Sequence, residues 1–222
     1  MGAIIAENKA DAIFHGGDLS YADGYMSIWD FWLQQITPLS ASVPYLTIMG
    51  NHEMDWPGIP EDIFGNESHS SGGECGVVAM KLLPMPAPAR TYTPYWSYDI
   101  GLIHIVGIET EQNFSIGSPQ YKWLQADLAG VNRSITPWVV VHGHRPMYVN
   151  SNQNGSLNTD QGMMTELINN LEPLLWKYNT NVAMWGHNHA AMLSVVASLP
   201  HFCSDHSANS LCICICSGRR QC

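Results

Sequence analysis

The spacing of apolar positions changes several times along the chain, and the changes predict strands alternating with helices. Short apolar runs bounded by turn residues lie at 11–15, Tyr45 to Met49, Trp138 to Val141 and Val182 to Trp185, each of buried-strand length. Tyr95 to Ile100 and Leu102 to Ile108 flank Gly101 and predict a hairpin. From Gly24 to Ile36, Met26, Ile28, Trp29, Phe31, Trp32, Leu33 and Ile36 predict an amphipathic helix stopped by Pro38. Pro119 to Leu128 predicts a second helix, with Pro at its start and Gly130 past its end, and Gly162 to Tyr178 a longer third. Residues 54–90 are rich in Pro, Gly and Ser and predict a long excursion, of the kind that forms rims and lids. The alternation, with one hairpin inserted, gives an α/β class: a mixed-sheet sandwich covered by helices.

The pattern stops after residue 189. Five of the six cysteines fall at Cys203, Cys212, Cys214, Cys216 and Cys222, with no Cys-x-x-Cys spacing that would suggest zinc. Residues 1–189 are therefore read as one domain and 190–222 as a divergent Cys-rich tail, poorly ordered.

Composition narrows the function classes. The chain has 222 residues, 45% hydrophobic and 13% charged, enough for one domain with a real core. A net charge of -10 argues against nucleic acid as the main partner, since no basic stripe exists to neutralise phosphates. No apolar run approaches membrane-spanning length. A small phosphorylated substrate stays compatible if bound cations make the pocket locally positive. The N-terminus carries charges too early for a secretory signal, and Ala6 stands where myristoylation expects Ser or Thr. Four Asn-x-Ser sequons, at Asn66, Asn113, Asn132 and Asn154, point instead to a secretory lineage and a glycoprotein. Nothing in the pattern speaks to oligomeric state.

Candidate chemistry follows four of the strands. Gly17-Asp18-Leu19-Ser20-Tyr21, Gly50-Asn51-His52-Glu53, Val141-His142-Gly143-His144 and Gly186-His187-Asn188-His189 each come just past an apolar run. Open α/β sheets place ligand sites there, outside the carboxyl ends of the strands. Taken singly, Asn51 reads as a turn residue, Tyr21 as core and any one histidine as an ordinary hydrogen-bonded residue. His15 and His104, inside strands, keep that reading; His142 alternates with His144 and points elsewhere; His69, His201 and His206 read as solvated. Four such stretches together read as one metal site. A metal pair about 3.5–4 Å apart activates water and clamps the oxygens of a phosphate ester. Carboxylate, amide oxygen, imidazole and phenolate suit it. Asp18 is the candidate bridge, Asn51, His144 and His187 complete one shell, and Tyr21 and His189 serve the other. His52 is left to face substrate as a cationic acid, which suits acid pH.

Gly-Asp-x-x-Tyr, Gly-Asn-His-Glu, Val-x-x-His and Gly-His-x-His, in this order, resemble the motifs of purple acid phosphatases, within the calcineurin-like metallophosphoesterases. Gly143 to Tyr148 and Ser71 to Val77 resemble that family too, and the likeness covers residues 3–189. It implies a four-layer α/β/β/α sandwich with mixed sheets and a dinuclear centre of Fe(3+) with Zn, Mn or Fe(2+). By position it implies Tyr21 and His189 on the ferric ion, Asp18 bridging, Asn51, His144 and His187 on the divalent ion, and His52 beside the phosphate. It further implies hydrolysis of phosphate monoesters by metal-bound hydroxide and a secreted or vacuolar location. Three departures bear on this. The family's upstream Asp-x-Gly motif precedes the point where this sequence starts, which implies a fold incomplete at the N-terminus and a ferric shell short of one carboxylate. Ala190-Ala191-Met192 stands where Tyr-Glu-Arg is usual. The loop after His144 carries Asn150, Asn152 and Asn154 and no histidine pair. Two alternatives remain open at this stage: an impaired metal-binding remnant, and a phosphodiesterase of the same superfamily.

Overall fold

The computed structural model describes residues 10–54, 71–86, 93–149, 160–189, 192–195 and 211–214. Ile13–Gly16 (β1) and Tyr45–Ile48 (β2) form a parallel pair, with Gly16 opposite Ile48. A second sheet contains Trp96–Ile100 (β3), Ile103–Gly107 (β4), Trp138–Gly143 (β5), Val182–Trp185 (β6), Met192–Val195 (β7) and Leu211–Cys214 (β8), in the order β3-β4-β5-β6-β8-β7. β3 and β4 are an antiparallel hairpin, β4, β5, β6 and β8 run parallel, and β7 returns antiparallel on β8. The helices are Met26–Ser40 (α1), Val77–Leu82 (α2), Pro119–Gly130 (α3), Asp160–Asn170 (α4) and Glu172–Lys177 (α5). Among the described residues no helix is long and apolar enough to cross a membrane.

Three buried clusters fill three interlayer spaces, and so define four layers. Along each strand successive side chains alternate faces. Leu46 and Ile48 of β2 meet Trp96 and Ile105 between the sheets, with Phe14, Val140 and Met184 against them. On the outer side of β1-β2, Trp29 and Ile36 of α1 pack with Met49 and with Ala79 and Met80 of α2. On the outer side of the larger sheet, Val139, Val141, Ala183 and Trp185 pack with Leu124 and Leu128 of α3, Leu167 of α4 and Leu174 of α5. This is the α/β/β/α arrangement that the resemblance implies. The Trp96 indole donates to the Thr47 carbonyl at 2.7 Å, tying the two sheets together.

Several boundaries differ from expectation. α1 runs on to Ser40 and includes Pro38, because that ring removes only the donor to Gln34 in an exposed last turn, and Ala41 N still closes on Thr37 O at 2.9 Å. The single helix expected over 162–178 is two, broken at Leu171, with Pro173 in the first turn of α5 where no donor is needed. α3 keeps Gly130 inside. The excursion expected over 54–90 contains α2; its residues 55–70 and 87–90 lie outside the described residues. The sheet also continues past residue 189: β7 and β8 belong to the stretch expected to be a poorly ordered tail, and its remainder lies outside the described residues.

Candidate metal centre

Parallel pairing builds the site. β1 and β2 end level with each other, so the turn at Gly17-Asp18 lies beside the turn at Gly50-Asn51. β5 and β6 likewise end together, with Gly143 opposite Trp185, which places His144 beside His187. The turns approach closely because two positions lack a side chain. A Cβ on Gly17 would lie 2.6 Å from His144 Nδ1, at φ +77°, and one on Gly50 would collide with Asp18 Oδ1. Asp18, Tyr21 and His187 hold left-handed backbone at φ 52°, 53° and 64°, strain of the sort that collects at functional sites.

All seven expected side chains come together here. Asp18 Oδ1 lies 3.2 Å from His144 Nε2, which lies 3.1 Å from Asn51 Oδ1 and 3.2 Å from His187 Nδ1. His187 Nδ1 is also 3.0 Å from Asn51 Oδ1. The other oxygen of Asp18 faces a second group: Tyr21 donates to Oδ2 at 3.2 Å, and the same phenol is 3.1 Å from His189 Nε2. His52 stands at the edge. Its backbone N–H donates to Asp18 Oδ1 at 3.2 Å, its Nδ1 lies 3.1 Å from Asp23 Oδ1, and its ring is 4.4 Å from that of Tyr21.

The donor set fits a cation. Asp18, His144 and His187 present ligating atoms all within 4.8 Å of one another, and Asn51 adds an amide oxygen. Such a crowd of acceptors needs a positive charge at its centre. A proton can supply that charge. Burial lowers the affinity of His144 for it, but the Asp18 carboxylate overrides burial and pushes the pKa up to about 9. Asp18 answers the same way: burial opposes its charge, yet His144 and the His52 amide hold it far below the usual carboxylate range. Burial and the Asp18 charge push the Tyr21 phenol well above its ordinary value, so it stays a neutral donor until a cation replaces its proton. The orientation of His144 is fixed from behind, where Nδ1 donates to the Gly16 carbonyl at 2.6 Å.

Four supporting residues escaped the sequence reading. Glu53, fully buried, accepts from Leu19 N at 2.8 Å and Gly50 N at 3.0 Å and so clamps the two turns; burial and Asp18 push its pKa up to about 8. Asp160 reaches His187 Nε2, and Asp23 reaches His52. Glu111 pairs with Arg145 at 2.8 Å beside the site. Only Glu53 sat inside a motif; the other carboxylates carry no spacing signal. The histidines read as structural are placed accordingly. His15 bonds the Tyr45 hydroxyl at 2.7 Å, His104 lies between Asp99 and Asp127, and His142 is buried with its ring beside Gly16. His69, His201 and His206 lie outside the described residues.

This fold, with a metal-ligand cluster at the strand ends, defines a metallophosphoesterase. The calcineurin-like phosphoesterase family matches residues 1–191, and the chain belongs to it. Its homologues include purple acid phosphatases. It is 42% identical over 201 residues to "Probable inactive purple acid phosphatase 9" of Arabidopsis thaliana, covering 83% of this chain and 30% of that protein. It is 36% identical over 181 residues to a "Nucleotide pyrophosphatase/phosphodiesterase" of Hordeum vulgare, covering 81% of this chain and 47% of the relative. The purple acid phosphatase PPD1 from yellow lupin (Lupinus luteus) seeds superposes with a TM-score of 0.80 at 33% identity, over 96% of this chain and 38% of that one. The chain thus spans less than half the length of each of these relatives.

Proposed function

We propose that this chain carries the catalytic centre of an acid phosphatase, hydrolysing small phosphate monoesters at Fe(3+) paired with Zn, Mn or Fe(2+). The observation that carries the reading is the two-sided setting of Asp18, with one oxygen toward His144 and the other toward Tyr21. In this reading Asp18 bridges, Asn51, His144 and His187 hold the divalent ion, and Tyr21 and His189 hold the ferric ion. The ion pair, when bound, supplies a deprotonated water as nucleophile and offsets charge on the phosphate oxygens. The chain's own groups do the rest. Asp23 takes Nδ1 of His52, which leaves Nε2 to donate to a phosphate oxygen and to protonate the departing alcohol. A secreted or vacuolar glycoprotein is part of the same proposal. Exposed Asn113 and Asn132 support it, since each accepts a hydrogen bond from the Ser hydroxyl two residues on, at 2.6 Å.

Two further readings rest on the names of relatives. Several relatives are named probable inactive, which favours a non-catalytic metal-binding protein, and the barley relative is named for diester chemistry. One experiment separates all three. The chain is loaded with iron and zinc, and visible absorption is read together with hydrolysis of an aryl phosphate and of a bis-aryl phosphate diester at about pH 5. Colour with preferential monoester turnover is expected. Preferential turnover of the diester would move the assignment to the phosphodiesterases. Colourless, inert protein would sink the proposal in favour of the non-catalytic reading.

A further inference from the structure

Asp160 opens α4, and its Oδ1 lies 3.1 Å from Nε2 of His187, a residue 27 positions later in the chain. Both side chains are largely buried, 15% and 17% exposed. The other ring nitrogen, Nδ1, is the one facing Asn51 and His144. A neutral imidazole has one lone pair, so the nitrogen that donates decides which one can ligate. With Nε2–H donating to Asp160, the lone pair stands on Nδ1 and points into the cluster.

The two buried-side histidines are steadied by different means. His144 is fully buried on β5 and donates to a main-chain carbonyl, that of Gly16. His187 sits in the turn after β6, at φ +64°. A carboxylate from a separate helix takes the place that a carbonyl takes for His144. Histidine ligands whose far nitrogen meets a carboxylate gain both a fixed tautomer and greater basicity.

We infer that Asp160 is a positioning residue for His187, setting its tautomer and ring direction so that Nδ1 meets the cation. The inference rests on His187 being a metal ligand, as proposed above. It also makes α4 part of the centre, although the Gly-His-x-His stretch gives no hint of a helical partner.

The test is zinc affinity of the full chain, read by competition with a chromophoric chelator, for the parent, Asp160→Ala, Asp160→Asn, His187→Ala and the Asp160→Ala/His187→Ala double variant. Asp160→Ala is expected to weaken zinc binding about 10- to 100-fold. Asp160→Asn, whose amide oxygen accepts the same hydrogen bond, is expected to recover most of that loss. In the His187→Ala background the Asp160→Ala change is expected to have almost no further effect, because the two residues act as one unit. A change below about threefold for Asp160→Ala, no recovery in Asp160→Asn, or a full-sized effect persisting without His187 would each overturn the inference. Unchanged affinity in His187→Ala would instead overturn the ligand assignment beneath it. Circular dichroism melts of each variant separate loss of affinity from loss of fold.

Discussion

Asp18 Oδ1 lies 3.2 Å from His144 Nε2, and that carboxylate raises the His144 pKa to about 9, so a metal ligated there competes with a proton. Metal uptake must therefore expel a proton from His144 Nε2. The sign follows from the direction of the shift. His144 is held protonated up to about 9, so protons compete more strongly as pH falls and apparent metal affinity weakens. Zinc calorimetry at about pH 7, in two buffers of different ionisation heat, should report about one proton released per ion bound at this group. Equal heats in both buffers would mean that His144 is not displaced. The residue scale is also where the sequence was most legible. Asp, Asn and His directly after apolar runs announce themselves because strand ends leave them no partner in the sheet. Asp160 and Asp23 could not be read this way. Each acts through a histidine distant in sequence, and no periodicity records such a contact.

At the scale of elements, the strands that carry the site were more legible than the limits of the helices. Burial on both faces imposes continuous apolar runs on β2, β5 and β6, whereas α1 and α4–α5 turn on what a proline does locally. Pro38 falls where a missing hydrogen bond faces water, and Pro173 falls in a first turn; the sequence gives the residue but not its position within the helix. β7 and β8 lie where small apolar residues followed by crowded cysteines predict a tail. The β3-β4 hairpin carries its own pH dependence. His104 Nδ1 lies 2.6 Å from Asp99, and Nε2 lies 2.9 Å from Asp127, which also accepts from Ser97 at 2.6 Å. Burial works against the His104 charge, but the two aspartates outweigh it and raise the pKa above the ordinary histidine value. A raised pKa contributes stability that is complete below the unfolded value and lost as pH rises through the folded one. His104→Gln should therefore destabilise the protein by on the order of 1–2 kcal/mol in urea melts at about pH 5.5 and by less at about pH 9. A gap that is constant or widens toward alkaline pH would contradict the charged bridge.

For the molecule as a whole, three apolar layers hold two sheets so that four turns from distant parts of the chain meet at one edge. The mixed-sheet sandwich covered by helices was legible because strands alternate with helices along the chain; its four-layer order came from the resemblance. The division of ligands between two ions was an expectation from the donor types after the strands, repeated by the resemblance, and the two faces of Asp18 support it. Those two faces allow the most direct test. Metal content of the loaded chain, measured by plasma mass spectrometry, should be two ions per molecule in the parent. It should be at most one in Asp18→Asn, in which an amide stands where a carboxylate would join the pair. Two ions retained in Asp18→Asn would contradict the bridge and, with it, the account of the centre given above.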